Sequence, residues 1–168
     1  MKRLLRGLCL GALLTVKAPA EPPPAETHLL DFWVGEWEVF LATGQKDGDN
    51  RIEKTLAGFA LLENWTELDG HEGKSWFYFH RPEKRWKQVW VTDGGGVKEK
   101  AQVADAPAGS VRFRGEMMLP DGRALLDQTT LTPLPDGRVR QVIEQSTDRS
   151  KTWRTVYDAY YVHKPRKT

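Results

Sequence analysis

Glu63, Trp65, Gln88, Trp90, Arg140 and Glu144 are the residues of this 168-residue chain whose types and spacing bear on chemistry. Residues two apart share a face of an extended strand. Glu63 and Trp65 thus share a face with Leu61, Trp86, Gln88 and Trp90 share another, and Arg140, Val142 and Glu144 share a third, followed by Ser146. With those faces turned inward, a Glu, a Gln, an Arg and a second Glu line an otherwise aromatic chamber. Burying a charge costs several kcal/mol per ion unless it is paired, so Arg140 pairs with Glu144 or Glu63. Such a group holds the polar head of a ligand while Trp65 and Trp90 embrace its apolar body. The opposite parity turns these faces outward, where Arg140 and Glu144 form cross-strand ion pairs worth less than about 1 kcal/mol. One β-bulge inverts the parity of every residue beyond it.

Other chemistries find less support. His28, His71, His80 and His163 form neither His-x-His nor His-Glu-x-x-His, so no metal site is expected. Ser75, Ser110, Ser146 and Ser150 lack the Gly-x-Ser-x-Gly context of a nucleophile elbow. Glu63 and Glu144 form a conceivable acid/base pair, so an isomerase or hydrolase using Glu63, Arg140 and Glu144 stands as the enzymatic alternative. Asp93-Gly94-Gly95-Gly96 lies between two strands rather than before a helix, which makes it a hairpin and not a phosphate loop.

The elements that must position these residues are strands. The period is two beyond Gly35, with strands expected at 36–42, 50–57, 60–68, 74–80, 85–92, 96–104, 110–117, 123–133, 138–146 and 152–163. Between them stand Asp47-Gly48-Asp49-Asn50, Asp69-Gly70, Arg81-Pro82, Asp93-Gly94-Gly95-Gly96, Pro120-Asp121-Gly122 and Pro135-Asp136-Gly137. Asp-Gly and Pro-Asp-Gly supply the left-handed residues of tight hairpins. No helical segment long enough for a parallel crossover intervenes. An all-β, antiparallel up-and-down barrel of about ten strands follows, closed so that no edge is exposed. A barrel of that size leaves room for a ligand unless large side chains fill it, and seven tryptophans are large. Trp76-Phe77-Tyr78-Phe79 is apolar on both faces, so part of it packs outward, beneath the capping helix or a second copy in a homodimer.

Phe32-Trp33-Val34-Gly35-Glu36-Trp37 opens the first strand. Gly35 lets the backbone turn where a side chain would clash, and Trp37 lies across one end of the sheet as an apolar plug with one N–H to satisfy. A short helix over 25–32 caps the same end.

The first twenty residues read as a removed export signal. Lys2, Arg3 and Arg6 precede the apolar run Leu8–Val16, and Ala18-Pro19-Ala20 is a small-x-small cleavage pattern. Removing four basic residues and no acid takes the chain from 25 basic and 23 acidic residues to 21 and 23, a net charge of −2. No nucleic-acid partner is expected at that charge. Cys9 leaves with the signal, so the exported protein has no thiol. Residues 21–27 are read as an extended linker, with Pro22-Pro23-Pro24 at its start, and 28–164 as one domain. The apolar run is too short to span a bilayer.

The Gly35-x-Trp37 segment resembles the one that closes lipocalin barrels. Further segments match a family of secreted bacterial proteins of unknown function with a lipocalin-like, or calycin, barrel. They are Ala60-Leu61-Leu62-Glu63-Asn64-Trp65, Gly73-Lys74-Ser75, Trp86 to Asp93, Pro135 to Gln141, Glu144 to Asp148, and Thr152-Trp153. The resemblance covers nearly the whole exported chain and brings no catalytic assignment. More distantly the chain is similar to nitrobindin-type barrels, which hold haem through a histidine before the last strand. Here that place reads Thr152-Trp153-Arg154-Thr155. The expectation is therefore an exported, non-catalytic, cofactor-free barrel that binds a small amphipathic molecule through Glu63, Trp65, Gln88, Trp90, Arg140 and Glu144. A barrel filled with indoles and serving as a protein-interaction module is the third alternative.

Overall fold

A computed structural model describes residues 22–119 and 122–165. The expected export signal, Cys9 and the Pro120-Asp121 part of one turn lie outside the described residues. Ten strands follow two short 3-10 turns, Ala25–His28 and Asp31–Trp33. They are β1 Gly35–Leu41, β2 Lys46–Thr55, β3 Ala60–Glu67, β4 Glu72–His80, β5 Arg85–Thr92, β6 Val97–Val103, β7 Val111–Met118, β8 Ala124–Pro133, β9 Val139–Ser146 and β10 Arg154–His163. Each strand pairs antiparallel with its sequence neighbour, and β1 pairs with β10 to close the barrel. Among the described residues the ring of strands is closed with no free edge strand, as expected, although β6 and β7 pair over only three positions, Ala101–Val103 against Arg112–Arg114.

One end of the barrel is packed solid. Leu30, Trp33, Trp37, Phe77, Trp86 and Phe113 are buried there with aliphatic residues of the facing strands. Trp33 meets Phe77 edge-on, ring centres 5.3 Å apart, and Phe77 meets Phe113 at 5.2 Å. Trp37 stacks on His163 at 3.7 Å and donates its indole N–H to the Trp33 carbonyl over 2.9 Å. Trp37 thus satisfies the one polar atom it buries, whereas the buried Trp33 Nε1 has no partner among the described residues. Gly35 has φ +148°, and a Cβ there would stand 3.2 Å from the His163 ring.

Three details depart from the sequence reading. The N-terminal cap is two 3-10 turns rather than a helix. Residues 25–27, read as linker, belong to the first turn, and Trp86 Nε1 donates to the Glu26 carbonyl over 2.9 Å to hold it against the barrel. Asp47-Gly48-Asp49-Asn50 is strand, not turn. The reversal falls at residues 42–45, where Gly44 takes φ +87° and Leu41 N–H meets the Gln45 carbonyl at 2.8 Å. Gly48 therefore serves something other than a turn. The cap also packs against the interior, so Trp76 on the outer face of β4 stays 47% exposed and Tyr78 38%.

Candidate functional site

The end of the barrel opposite the plug is hollow. A cavity of about 290 Å³ lies there, reached between the β3–β4, β5–β6 and β9–β10 connections. Four of the six site residues expected from the sequence line it: Glu63, Trp65, Gln88 and Trp90. The remaining lining residues are Asp47, Glu67, Lys98, Lys100, Thr129, Gln141, Ile143, Val156, Tyr157 and Tyr161. Alternation along the strands aims most of them inward, and Asp47 reaches the cavity at the β1–β2 register shift, where Gly48 and Lys46 pair but Asp47 is skipped. A register shift between Thr155 and Tyr157 breaks that alternation on β10 and brings the adjacent Val156 and Tyr157 to the same cavity.

The cavity floor is a continuous polar network resting on the apolar plug. Gln88 Nε2 donates to Ser75 Oγ at 3.2 Å, and Ser75 Oγ donates to Glu63 Oε2 at 2.5 Å. Asn50 Nδ2 donates to Glu63 Oε1 at 2.8 Å and lies 3.3 Å from the Tyr161 hydroxyl, which donates to Gln141 Oε1 at 2.7 Å. Strands β2, β3, β4, β5, β9 and β10 are thereby joined through side chains alone. Most buried polar groups find a partner, and two oxygens of this network do not: Asn50 Oδ1, down in the floor, and Gln88 Oε1. Gln88 Oε1 is buried on the cavity lining with no partner among the described residues.

Glu63 is 5% exposed, and no cation is bonded to it among the described residues. Burial pushes its carboxyl above the usual range, against the pull of the Ser75 and Asn50 hydrogen bonds and the more distant Lys100 charge. On β6, Lys100 pairs with Asp127 and donates to Thr129 Oγ1 at 2.6 Å. Burial draws the Lys100 ammonium below its ordinary range despite that partner. Burial also acts on Asp127, but the Lys100 charge and hydrogen bond outweigh it and hold the carboxyl low. Lys98 reaches Asp127 Oδ2 at 3.3 Å, and its ammonium sits 5.2 Å from the centre of the Trp90 ring. Tyr157 donates to Asp47 Oδ2 at 2.7 Å, and burial followed by that carboxylate drives its phenol pKa up.

The two indoles at the mouth lean on glycines. A Cβ at Gly48 would stand 2.8 Å from the far ring carbon of Trp65, and one at Gly73 would stand 2.8 Å from Trp90 Nε1. At Gly48 the Thr66 carbonyl is closer still, 2.3 Å from such a Cβ, so a glycine inside β2 admits both the β3 backbone and the Trp65 ring, and Gly73 leaves room for Trp90 against the barrel wall.

Arg140 and Glu144 do not join the site. The inward face of β9 is Val139, Gln141 and Ile143, with Val139 in the apolar core. Arg140 therefore points outward and forks onto Asp158, with contacts of 2.8 and 2.6 Å. Glu144 accepts from Gln128 Nε2 at 2.8 Å, and Gln128 Oε1 in turn accepts from Arg114. The expected pairing of Arg140 with Glu144 or Glu63 is absent, because a guanidinium keeps most of its hydration on the outer surface. The sequence carried the signal: Val139-x-Gln141-x-Ile143 is the less charged of the two faces.

Lys98, Lys100 and Tyr161 were missed, although register could have found two of them. Trp90 pairs directly with Lys98 and Gln88 with Lys100, and directly opposed residues share a face. Once Gln88 and Trp90 face inward, the two lysines must follow.

None of the four histidines lines the cavity, so the donors present do not fit a haem held through a histidine. Among the described residues no group of three or more His, Cys, Asp or Glu side chains could hold a metal ion. No described helix is long and apolar enough to cross a membrane. The closed ten-strand antiparallel barrel is consistent with a lipocalin-like architecture. No family model matches this chain, and no curated protein matches it.

Proposed function

We propose that this chain is an exported lipocalin-like barrel that binds a small amphipathic molecule in its lumen without catalysis. The observation that carries the reading is the hollow end. Two indoles are laid aside on Gly48 and Gly73, over a floor where Gln88 Oε1 is an unused acceptor. A volume of about 290 Å³ suits a compact metabolite and lies at the small end of ligand sites. Trp65, Trp90, Ile143 and Val156 would cover the apolar body while the Gln88–Glu63 network takes the head. Export is supported by the basic start, short apolar run and Ala18-Pro19-Ala20 of the leader, and a place in the secreted bacterial family rests on the resemblance of the segments named above. The exposed Trp76 face offers a place for a second copy in a homodimer.

The enzymatic alternative loses its constellation, since only Glu63 of Glu63, Arg140 and Glu144 reaches the lumen. The filled-barrel alternative is disfavoured by the cavity itself. The test is native mass spectrometry of protein purified from its own host, with tryptophan quenching by a pool of host lipids and metabolites. A co-purifying small molecule that quenches wild type, and quenches Gly73→Leu at least tenfold less well, supports the reading. An empty protein with unquenched indoles overturns it.

A further inference from the structure

The lumen is polarised from side to side. One wall, on β2 and β3, carries Asp47, Glu63 and Glu67, all lining the cavity. The other, on β6, carries Lys98 and Lys100 around the single carboxylate of Asp127. Two ammonium groups against one carboxylate leave that wall with one positive charge to spare. Glu63 and Lys100 share the cavity but are not bonded to each other. Each is held back on its own wall, Glu63 by Ser75 and Asn50, Lys100 by Asp127 and Thr129. Opposite charges kept apart across the cavity leave a field in the space between them. A simple anion entering that space meets three carboxylates, and a simple cation meets two ammonium groups, so each is rejected by one wall. A molecule carrying both charges is attracted by both.

Resting on the lumen reading above, we infer that the ligand is a small zwitterion. Its ammonium group faces the β2–β3 wall, its carboxylate faces Lys98 and Lys100, and its apolar carbons lie between Trp65 and Trp90. Gln88 Oε1, buried between the two walls without a partner, accepts one further N–H or O–H from the ligand.

The test compares probes of matched carbon chain by calorimetry on the purified protein. Norleucine and 6-aminohexanoate are zwitterions with the charges adjacent or separated, and hexanoate and hexylamine carry one charge each. At least one zwitterion should bind at least tenfold more tightly than both singly charged probes. Lys98→Met should reduce that preference over hexylamine at least fivefold, and Glu67→Gln, on the opposite wall, should reduce the preference over hexanoate. Both side chains stand near the cavity mouth, away from the apolar plug. Binding of hexanoate or hexylamine as tightly as either zwitterion would overturn the inference and leave the lumen reading intact. Binding of none of the four overturns it as well, and the co-purification experiment then decides the lumen reading separately.

Discussion

At the end where the chain enters, tryptophans point across the barrel, and at the other end they lie against its wall. Trp33 and Trp37 project inward, meet Tyr161 edge-on, and leave no space. Trp65 and Trp90 are as large, yet each is laid over a glycine on a neighbouring strand and leaves a hollow. Glycine has a different task at each end. Gly35 takes a left-handed φ so that the backbone can clear His163, whereas Gly48 and Gly73 supply missing side chains. The plugged end is packed core, and the hollow end is the one for which binding is proposed. Between them the Glu63 network forms a floor that the apolar core supports from below.

The comparison can be broken most sharply at the plug. Trp37→Ala should cost about 3–5 kcal/mol in urea unfolding, the usual loss for a fully buried aromatic. A loss below about 1 kcal/mol would mean that the plug does not hold the barrel. The glycines come next. Gly35→Ala should cost about 1–3 kcal/mol through backbone strain, while Gly73→Ala should change stability by about 1 kcal/mol or less. Gly73→Ala should nevertheless push Trp90 toward the lumen, visible as a shifted emission maximum and weaker ligand quenching. Equal stability losses at the two glycines would remove the distinction between the ends.

The third effect is a pH dependence. Because burial raises Glu63 above its ordinary 4.5, the native state binds that proton more tightly than the unfolded chain. Its contribution is therefore fully present below pH 4.5 and falls as pH rises through the raised value. Subtracting the pH profile of Glu63→Gln from that of wild type should isolate this downward slope. A flat difference would show that Glu63 is not desolvated. The smallest effect belongs to the outer wall, where Arg140→Ala should cost less than about 1 kcal/mol and leave ligand quenching unchanged. Impaired binding in that variant would reopen the case for Arg140 as part of the site.

Much of the barrel is legible in the sequence. The Asp136-Gly137 turn, with Gly137 at φ +84°, and the Trp86–Gln88–Trp90 alternation are local signals, and both carry through to the fold. The Asp47–Asn50 segment misled because its composition is that of a turn, while its conformation is set by pairing with β1 on one side and β3 on the other. Arg140 and Glu144 misled for a related reason. Parity groups residues onto a face without saying which face is inside, and the apolar partner face of Val139 had to be weighed against it.

Neighbours in the chain were therefore enough to specify ten strands, their order, the reversals between them except the first, and the plug at Gly35 and Trp37. Only the tertiary structure decided that the lumen is half filled and half hollow, and that Lys98 and Lys100 face Glu63 across it. Those outcomes depend on which side chains oppose each other between strands, because closing the sheet brings together residues that share no local signal.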